Sequence, residues 1–519
     1  MVERALRRVW VTRFGGDMSA EIAKSRHQVA ILQKSLVKNR CQLKPNFMAH
    51  NLKAGSPRID DLPPEILSLI FNLVHQDLKT QKGAVLKGMR ALSTTCRDWH
   101  QLASSIPALW SYIDIMVSYE QGITQSHLSA VATFLELSRD APLSLTLEFF
   151  VSYRPPYPTT RLITAIFHLL LQNFHRWHSI SCKTTFEPPS IPKRVVALFL
   201  EHIDIKFYLA KKEKNEPQAA KYCTSLVSAA PNLRSYVNNG SDYNVPANMP
   251  WAQLHKFVFS KPGLPLDALS FLDRAKSLEV FCFAMKRFRS PNSLAELPPF
   301  RSTSMIRSMT LATWHPRDVD AFLSHLDTPN LDTLDLNFLG NSQAIVPNLH
   351  LHCSVSLFPF LSSASASFRL SSLGLHNLTI DESEFIKCLR ILSPSLTDLR
   401  IRIQGFLPPL DVVSNNVLKS LTCYGSTQSE PPLCPTLESL TLERCVGADD
   451  GVLSEMVQSR RLVVNRPSSS TAVTLTMLRR LDVVFTVHIH RADRKLLNEL
   501  YENGLHGAVK FAPSKRHQR

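Results

Sequence analysis

The sequence predicts a mixed α/β chain, with an all-α module of two or three helices near the N-terminus followed by an irregular solenoid of alternating strands and helices. Three observations predict it. Residues 59–110 hold two apolar-rich segments, the second with apolar residues recurring every three or four positions. Downstream, the element Pro-x-Leu-x-x-Leu-x-Leu recurs, most clearly from Pro329, Pro394 and Pro435. Stretches of helical period lie between copies, at residues 266–275, 319–326 and 385–392, so strand and helix alternate along much of the chain.

A length of 519 residues exceeds the ~100–200 of an ordinary domain, which leaves several domains or one extended stack of repeats. No run approaches the ~18 apolar residues needed to cross a bilayer, and the first residues lack the apolar core of a secretory signal. The chain is therefore expected to be intracellular, cytoplasmic or nuclear, without a membrane partner. Ten cysteines without a Cys-x-x-Cys pair indicate neither a disulfide framework nor a zinc knuckle, and read as reduced, mostly buried thiols. The sequons at Asn239 and Asn377 then carry no meaning. A net charge of +16 would suit an acidic partner, yet the basic residues form no dense block. Lys206, Lys211, Lys212 and Lys214 are interrupted by Glu213, and both this cluster and the tail Lys515, Arg516, Arg519 read as solvated surface.

In chain order, residues 1–19 read as a disordered tail and residues 20–44 as an amphipathic helix carrying Ile22, Val29, Leu36 and Leu43. Residues 45–58 form a polar linker. The helical module spans residues 59–115. Its opening, Leu62-Pro63-Pro64-Glu65, is sound helix chemistry: prolines suit a first turn whose amides lack partners, and Glu65 complements the helix dipole. Ile66, Leu67, Leu69, Ile70, Phe71, Leu73 and Val74 cannot share one stripe, so this helix must bury two surfaces. A polar connector is expected over residues 75–83, then a second amphipathic region through Met89, Leu92, Cys96, Trp99, Ala103 and Ile106, stopped by Pro107. Leu109, Trp110, Ile113 and Ile115 add a further apolar cluster. So small a module buries little surface alone, which points to an intermolecular contact.

The order Leu-Pro-Pro-Glu-Ile-Leu, Ile-Phe, Leu92, Cys96-Arg97-Asp98-Trp99, Leu102-Ala103 and Pro107-Ala108-Leu109-Trp110 resembles the F-box-like families expanded in fungi. That resemblance implies a three-helix module docking on a Skp-type adaptor, which binds the cullin scaffold of a ubiquitin ligase. By the same analogy Leu62, Pro63, Pro64, Ile66, Leu67, Ile70 and Leu92 belong to the adaptor-binding surface, and Phe71, Cys96, Trp99, Leu102 and Trp110 to the core of the module. The connector at 75–83 departs from compact F-boxes, a cost that loop-closure entropy keeps small.

Residues 116–507 read as the repeat region. Residues 134–147 form a helix end, a turn and an alternating strand, a couplet that also resembles the region after fungal F-boxes. Weaker repeat copies start at Leu233, Leu254, Leu278, Leu373, Leu418 and Leu478. Leu437-x-x-Leu440-x-Leu442-x-x-Cys445 meets the fuller leucine-rich-repeat template, which makes Cys445 structural and not a nucleophile. Gaps at residues 342–371 and 446–475 suggest inserted loops, one of them exposed at Arg466 to Thr471. A leucine-rich-repeat solenoid presents a strand face suited to gripping a protein. Asp332, Thr333, Asp335, Asn337, Thr397, Arg400, Arg402, Glu438 and Thr441 would line or rim it. Residues 508–519 form a basic tail.

Catalytic motifs are lacking. There is no Gly-x-Ser-x-Gly, His-Glu-x-x-His or Gly-x-x-x-x-Gly-Lys, so no enzyme, cofactor or catalytic residue is expected. His350, His352 and Cys353, like His488 and His490, alternate at ligand-like spacing but lack further ligands in reach, and no metal is expected. His168, His175 and His178 fit helix packing. The implied role is a non-catalytic adaptor with an unidentified target protein, nucleic acid not being expected as a partner. The alternative is a basic nucleic-acid-binding or scaffold protein that uses an F-box-like module outside a ligase.

Overall fold

The computed structural model describes residues 62–118, 122–150, 157–186, 188–191, 195–208, 216–240, 244–286, 302–303, 305–339, 354–363, 369–403, 411–423, 432–462, 476–485 and 490–511. The expectations for residues 1–61, Lys211, Lys212, Lys214, His350, His352, Cys353, His488, the loop at Arg466 to Thr471 and residues 512–519 lie outside them. By its contacts the chain divides after Leu69. The described part of the first unit is residues 62–69, where the first helix begins; the second unit, Ile70–Arg519, holds the rest.

Three helices come first: α1 Pro64–Lys79, α2 Val85–Ser93 and α3 Arg97–Ser105. Helix α1 runs through residues 75–79, which the sequence assigned to a polar connector. The reason is that His75 is buried and packs edge-on at 6.4 Å against Tyr112, while the Lys79 ammonium sits 5.1 Å above the same ring. Only residues 80–84 join α1 to α2.

The strands β1 Tyr112–Val117, β2 Leu143–Phe149, β3 Trp177–Thr184, β4 His202–Phe207, β5 Ser235–Asn238, β6 Lys256–Gly263 and β7 Val280–Met285 then pair in sequence order, all parallel. The order continues with β8 Ser308–Thr313, β9 Thr333–Phe338, β10 Ser372–His376, β11 Asp398–Arg402, β12 Ser439–Glu443, β13 Arg480–Phe485 and β14 His506–Phe511. Among the described residues these form one 14-stranded sheet. β1, within the residues assigned to the helical module, also pairs with the sheet, and residues 508–511, assigned to a basic tail, complete its last strand.

Parallel neighbours require crossovers, and helices supply many of them: α4 Gln125–Leu137 before β2, α5 Tyr157–Gln172 before β3, α6 Glu216–Ser228 before β5 and α7 Pro265–Arg274 before β7. α8 Pro316–Leu323 and α9 Phe358–Ser363 flank β9, followed by α10 Glu382–Leu392, α11 Asn415–Leu421, α12 Val452–Leu462 and α13 Arg491–Glu502. The three strong repeat copies end in β9, β11 and β12, with Leu331, Leu334, Leu396, Leu399, Leu437 and Leu440 all buried. The weak copy at Leu418 is instead the helix α11: Ser414 caps it by accepting the Val417 amide at 3.4 Å, and Val417, Leu418 and Leu421 share its buried side. The two gaps assigned to loops contain helices α9 and α12.

Strand side chains alternate between two faces. One face is apolar and closed: Phe257 and Phe281, then Phe259 and Phe283, meet as register partners at 6.2 and 6.3 Å, and Phe271 of α7 packs on Phe257 at 5.6 Å. The other face carries the intervening residues, which are largely polar. All-parallel sheets are ordinarily covered on both faces by apolar residues, so a polar second face marks this one as unusual.

Candidate functional site

Helix α1 carries two apolar stripes, because 3.6 residues per turn separate them by about a quarter to a half turn. Leu67, Phe71 and His75 lie along one and are buried, at 7%, 0% and 2% exposure. Along the other run Ile66, Leu69, Ile70 and Leu73; Leu69 and Leu73 are 60% and 70% exposed, the most open large apolar residues on any described helix. Phe71 meets Trp99 of α3 edge-on at 5.1 Å. Trp110 is buried, donates its indole N–H to the Ala103 carbonyl at 2.8 Å, and packs edge-on against Phe134 at 5.0 Å, which ties α3 to α4.

The helices are also tied to the sheet by charge. The amide of Gly83 donates to the Asp114 carboxylate on β1, where burial pushes the carboxyl upward. Gly83 has φ +67°, and a Cβ there would stand 3.1 Å from Met116, so the close approach needs glycine. Lys82 and Lys183 both reach Glu148, at 3.1 and 3.0 Å; although burial opposes ionisation, these two ammonium groups hold the carboxyl below its ordinary value.

The polar strand face has a second cluster over β9 to β12. Arg400 pairs with Asp335 at 3.2 Å and with Asp398 at 3.0 Å, His376 approaches Asp335 at 3.5 Å, and Arg402 pairs with Glu443 at 3.2 Å. Burial opposes ionisation of Asp335, but the His376 hydrogen bond and the Arg400 charge hold its carboxyl below the usual range. Gly374 makes room for the cluster, since a Cβ there would fall 1.9 Å from an Asp335 carboxylate oxygen.

Residues 59–116 match the family model described as F-box-like. No curated protein matches the chain. The F-box-like segment thus takes in α1, α2, α3 and nearly all of β1.

Of the residues the resemblance placed on the adaptor surface, Pro63 and Pro64 are exposed and Leu62, Ile66 and Ile70 partly so, while Leu67 and Leu92 are buried, at 7% and 8%. Leu69 and Leu73 were not on that surface; the signal for them was the excess of apolar residues over what one stripe can use. In the assigned core, Phe71, Trp99 and Trp110 are buried and Leu102 is partly buried. Cys96 differs. It is exposed and serves as the N-cap of α3, its sulfur accepting the Trp99 amide at 3.4 Å, because the extended backbone at a cap turns the side chain back over the first turn.

On the strand face, Asp335, Asn337, Arg400, Arg402 and Thr441 lie on β9, β11 and β12 as alternation requires, and Cys445 is fully buried, its thiol donating to the Ile401 carbonyl at 3.5 Å. Asp450, His490 and Asp493 bring ligand-type atoms within 4.8 Å of one another. Their geometry is that of a helix clamp: Asp450 accepts the amides of Arg491, Ala492 and Asp493 at 2.9, 3.0 and 3.0 Å, and Asp493 accepts the Ser454 amide at 2.8 Å. Among the described residues, no helix is long and apolar enough to cross a membrane.

Proposed function

We propose that this chain is a substrate-recognition adaptor of a Skp-cullin-F-box ubiquitin ligase, docking on the Skp-type adaptor through the F-box-like segment and holding a target protein on a leucine-rich-repeat solenoid. The observation that carries the reading is the second apolar stripe of α1, with Leu69 and Leu73 open to solvent inside a segment that matches the F-box-like family. An exposed apolar pair on a helix whose other side is already packed needs a partner to cover it. Ile66, Ile70, Pro63 and Pro64 extend that surface; Leu67 and Leu92 act beneath it.

The solenoid reading draws on the in-order parallel strands and on Leu-x-x-Leu-x-Leu copies feeding β9, β11 and β12. The chain itself performs no chemistry in this reading. Tethering a target lysine near a charged ubiquitin carrier raises its effective concentration, and proximity alone accelerates transfer. Ion pairing across the strand face favours a protein target over nucleic acid, because Arg400, Arg402, Arg480 and Lys183 each already face a carboxylate, whereas phosphate binding draws on cations free to release counterions.

The test is affinity purification of the tagged chain under proteasome inhibition, read by mass spectrometry, with and without residues 59–116. The full chain is expected to bring down a Skp-type adaptor and a cullin, and the shortened chain to lose both; recovery of neither by the full chain would refute the ligase role.

A further inference from the structure

We propose that Asp114 and Glu148, buried on the sheet, are positioning residues for adaptor docking: they fix the connector between α1 and α2 and so hold α1 ready for the adaptor without touching it. The proposal rests on the ligase reading above and deepens it. Glu148 lies outside residues 59–116, so the docking apparatus extends past the segment that matches the F-box-like family.

The connector, residues 80–84, turns on its own backbone, the Thr80, Gln81 and Ala84 amides donating to the carbonyls of Asp77, Leu78 and Gln81. The helix α2 that follows has no side-chain cap and no acidic residue in its first turn. Its own sequence therefore leaves the positive end of the helix dipole uncompensated. Asp114 of β1 supplies that charge from across the junction, accepting the Gly83 amide while the Ala84 amide faces it as well. Beside it, Glu148 of β2 draws in Lys82 at 3.1 Å, and Lys183 of β3 holds the same carboxylate at 3.0 Å. Two strands thus grip three successive connector residues, and a third strand steadies the second grip.

What the grip sets is α1. Gly88 of α2 lies against Leu78 of α1, so closely that a Cβ on Gly88 would fall 2.5 Å from a Leu78 methyl. His75 and Lys79 pack on Tyr112, two residues before Asp114 on the same strand. Leu73, 70% exposed, lies two positions before His75. Releasing the connector frees α2 from Leu78 and lets the end of α1 shift, so that the docking arrangement becomes one of several. Asp114 and Glu148 are each 4% exposed, which keeps them from meeting a partner directly.

The test is biolayer interferometry of the full chain on an immobilised Skp-type adaptor, for the native chain and for Asp114→Ala, Asp114→Asn and Glu148→Gln. A binding-competent state that is only partly populated lowers the apparent affinity by that fraction. The loss falls on association, whereas contacts made within the complex govern dissociation. Asp114→Ala is expected to slow association about tenfold, on the scale of a lost hydrogen bond to a charged group, with dissociation and stoichiometry unchanged. Asp114→Asn and Glu148→Gln keep shape and an acceptor and should slow it about threefold; they decide the matter by the same criteria if the alanine variant does not fold. Hydrogen exchange should rise over residues 80–93 and stay level over β2 to β7. Unchanged association overturns the proposal. So does faster dissociation, which would put Asp114 in the contact itself, and so does a smaller binding fraction with native rates, the mark of a folding role alone. A native chain that binds no adaptor refutes the ligase reading and this role together, while native binding with unaltered variant rates refutes the role alone.

Discussion

At the scale of single residues, the aromatic contacts of the helical module make the sharpest demands. Phe71 is fully buried and touches Trp99, so Phe71→Ala should cost about 3–5 kcal/mol by lost burial and the cavity left behind. A urea titration followed by tryptophan fluorescence reads this directly, since Trp99 and Trp110 both report on the module. His75 adds a pH dependence. Burial, reinforced by the Lys79 charge, lowers its pKa from 6.5 to about 4, so the folded chain holds a neutral ring where an unfolded chain would take up a proton. A depressed histidine pKa means that the unfolded state binds more protons between those two values. Stability contributed by His75 is thus intact above about pH 6.5 and is lost as pH falls toward 4. His75→Phe should flatten that part of the stability profile; an unchanged acid limb would show that His75 titrates normally. Cys96 illustrates what pattern alone misreads. Its helical spacing with Trp99 suggested a core position, but a residue three places before a buried tryptophan also serves as a cap, and only the backbone geometry at Cys96 separates the two.

At the scale of elements, polar composition was the less reliable guide and apolar spacing the better one. The strands entered from Leu331, Leu396 and Leu437 and the helix α7 were legible because apolar period fixes the face each residue takes. The continuation of α1 through His75 was not, since its cause is Tyr112, a residue distant in sequence. Gly374 was equally unreadable: its role is to leave space for an Asp335 carboxylate from the next strand, a contact set by register. Gly374→Val should displace Asp335 and open its pair with Arg400, lowering stability by roughly 1–3 kcal/mol as other overpacking substitutions do. Arg460 on α12 stitches another junction. It is buried at 2% exposure and donates to the carbonyls of Leu421, Leu433 and Cys434 at 2.8, 2.6 and 2.9 Å. Arg460→Ala strands those carbonyls, each worth about 1–3 kcal/mol when buried and unsatisfied. Hydrogen exchange is expected to rise over α11 and at the entry to β12 while β1 to β7 stay protected; uniform protection would mean that the arginine is dispensable.

At the scale of the whole molecule, the chain joins a short helical module, matched to the F-box-like family, to a long parallel sheet with one polar face. The module was legible because its motifs occur in a fixed order. The sheet was legible only in part, because irregular spacing hid β4 and the helices α9 and α12. The functional account depends most on whether the outer stripe of α1 meets a Skp-type adaptor. The most direct measurement is co-expression of the full chain with a Skp-type adaptor, followed by size exclusion with light scattering, for the native chain and for Leu69→Glu/Leu73→Glu. The account predicts a one-to-one complex with the native chain and none with the double variant, since losing an interface anchor costs roughly 2 kcal/mol or more, while the circular dichroism of the sheet is unchanged. A native chain that runs alone, or a double variant that keeps the adaptor, would contradict it.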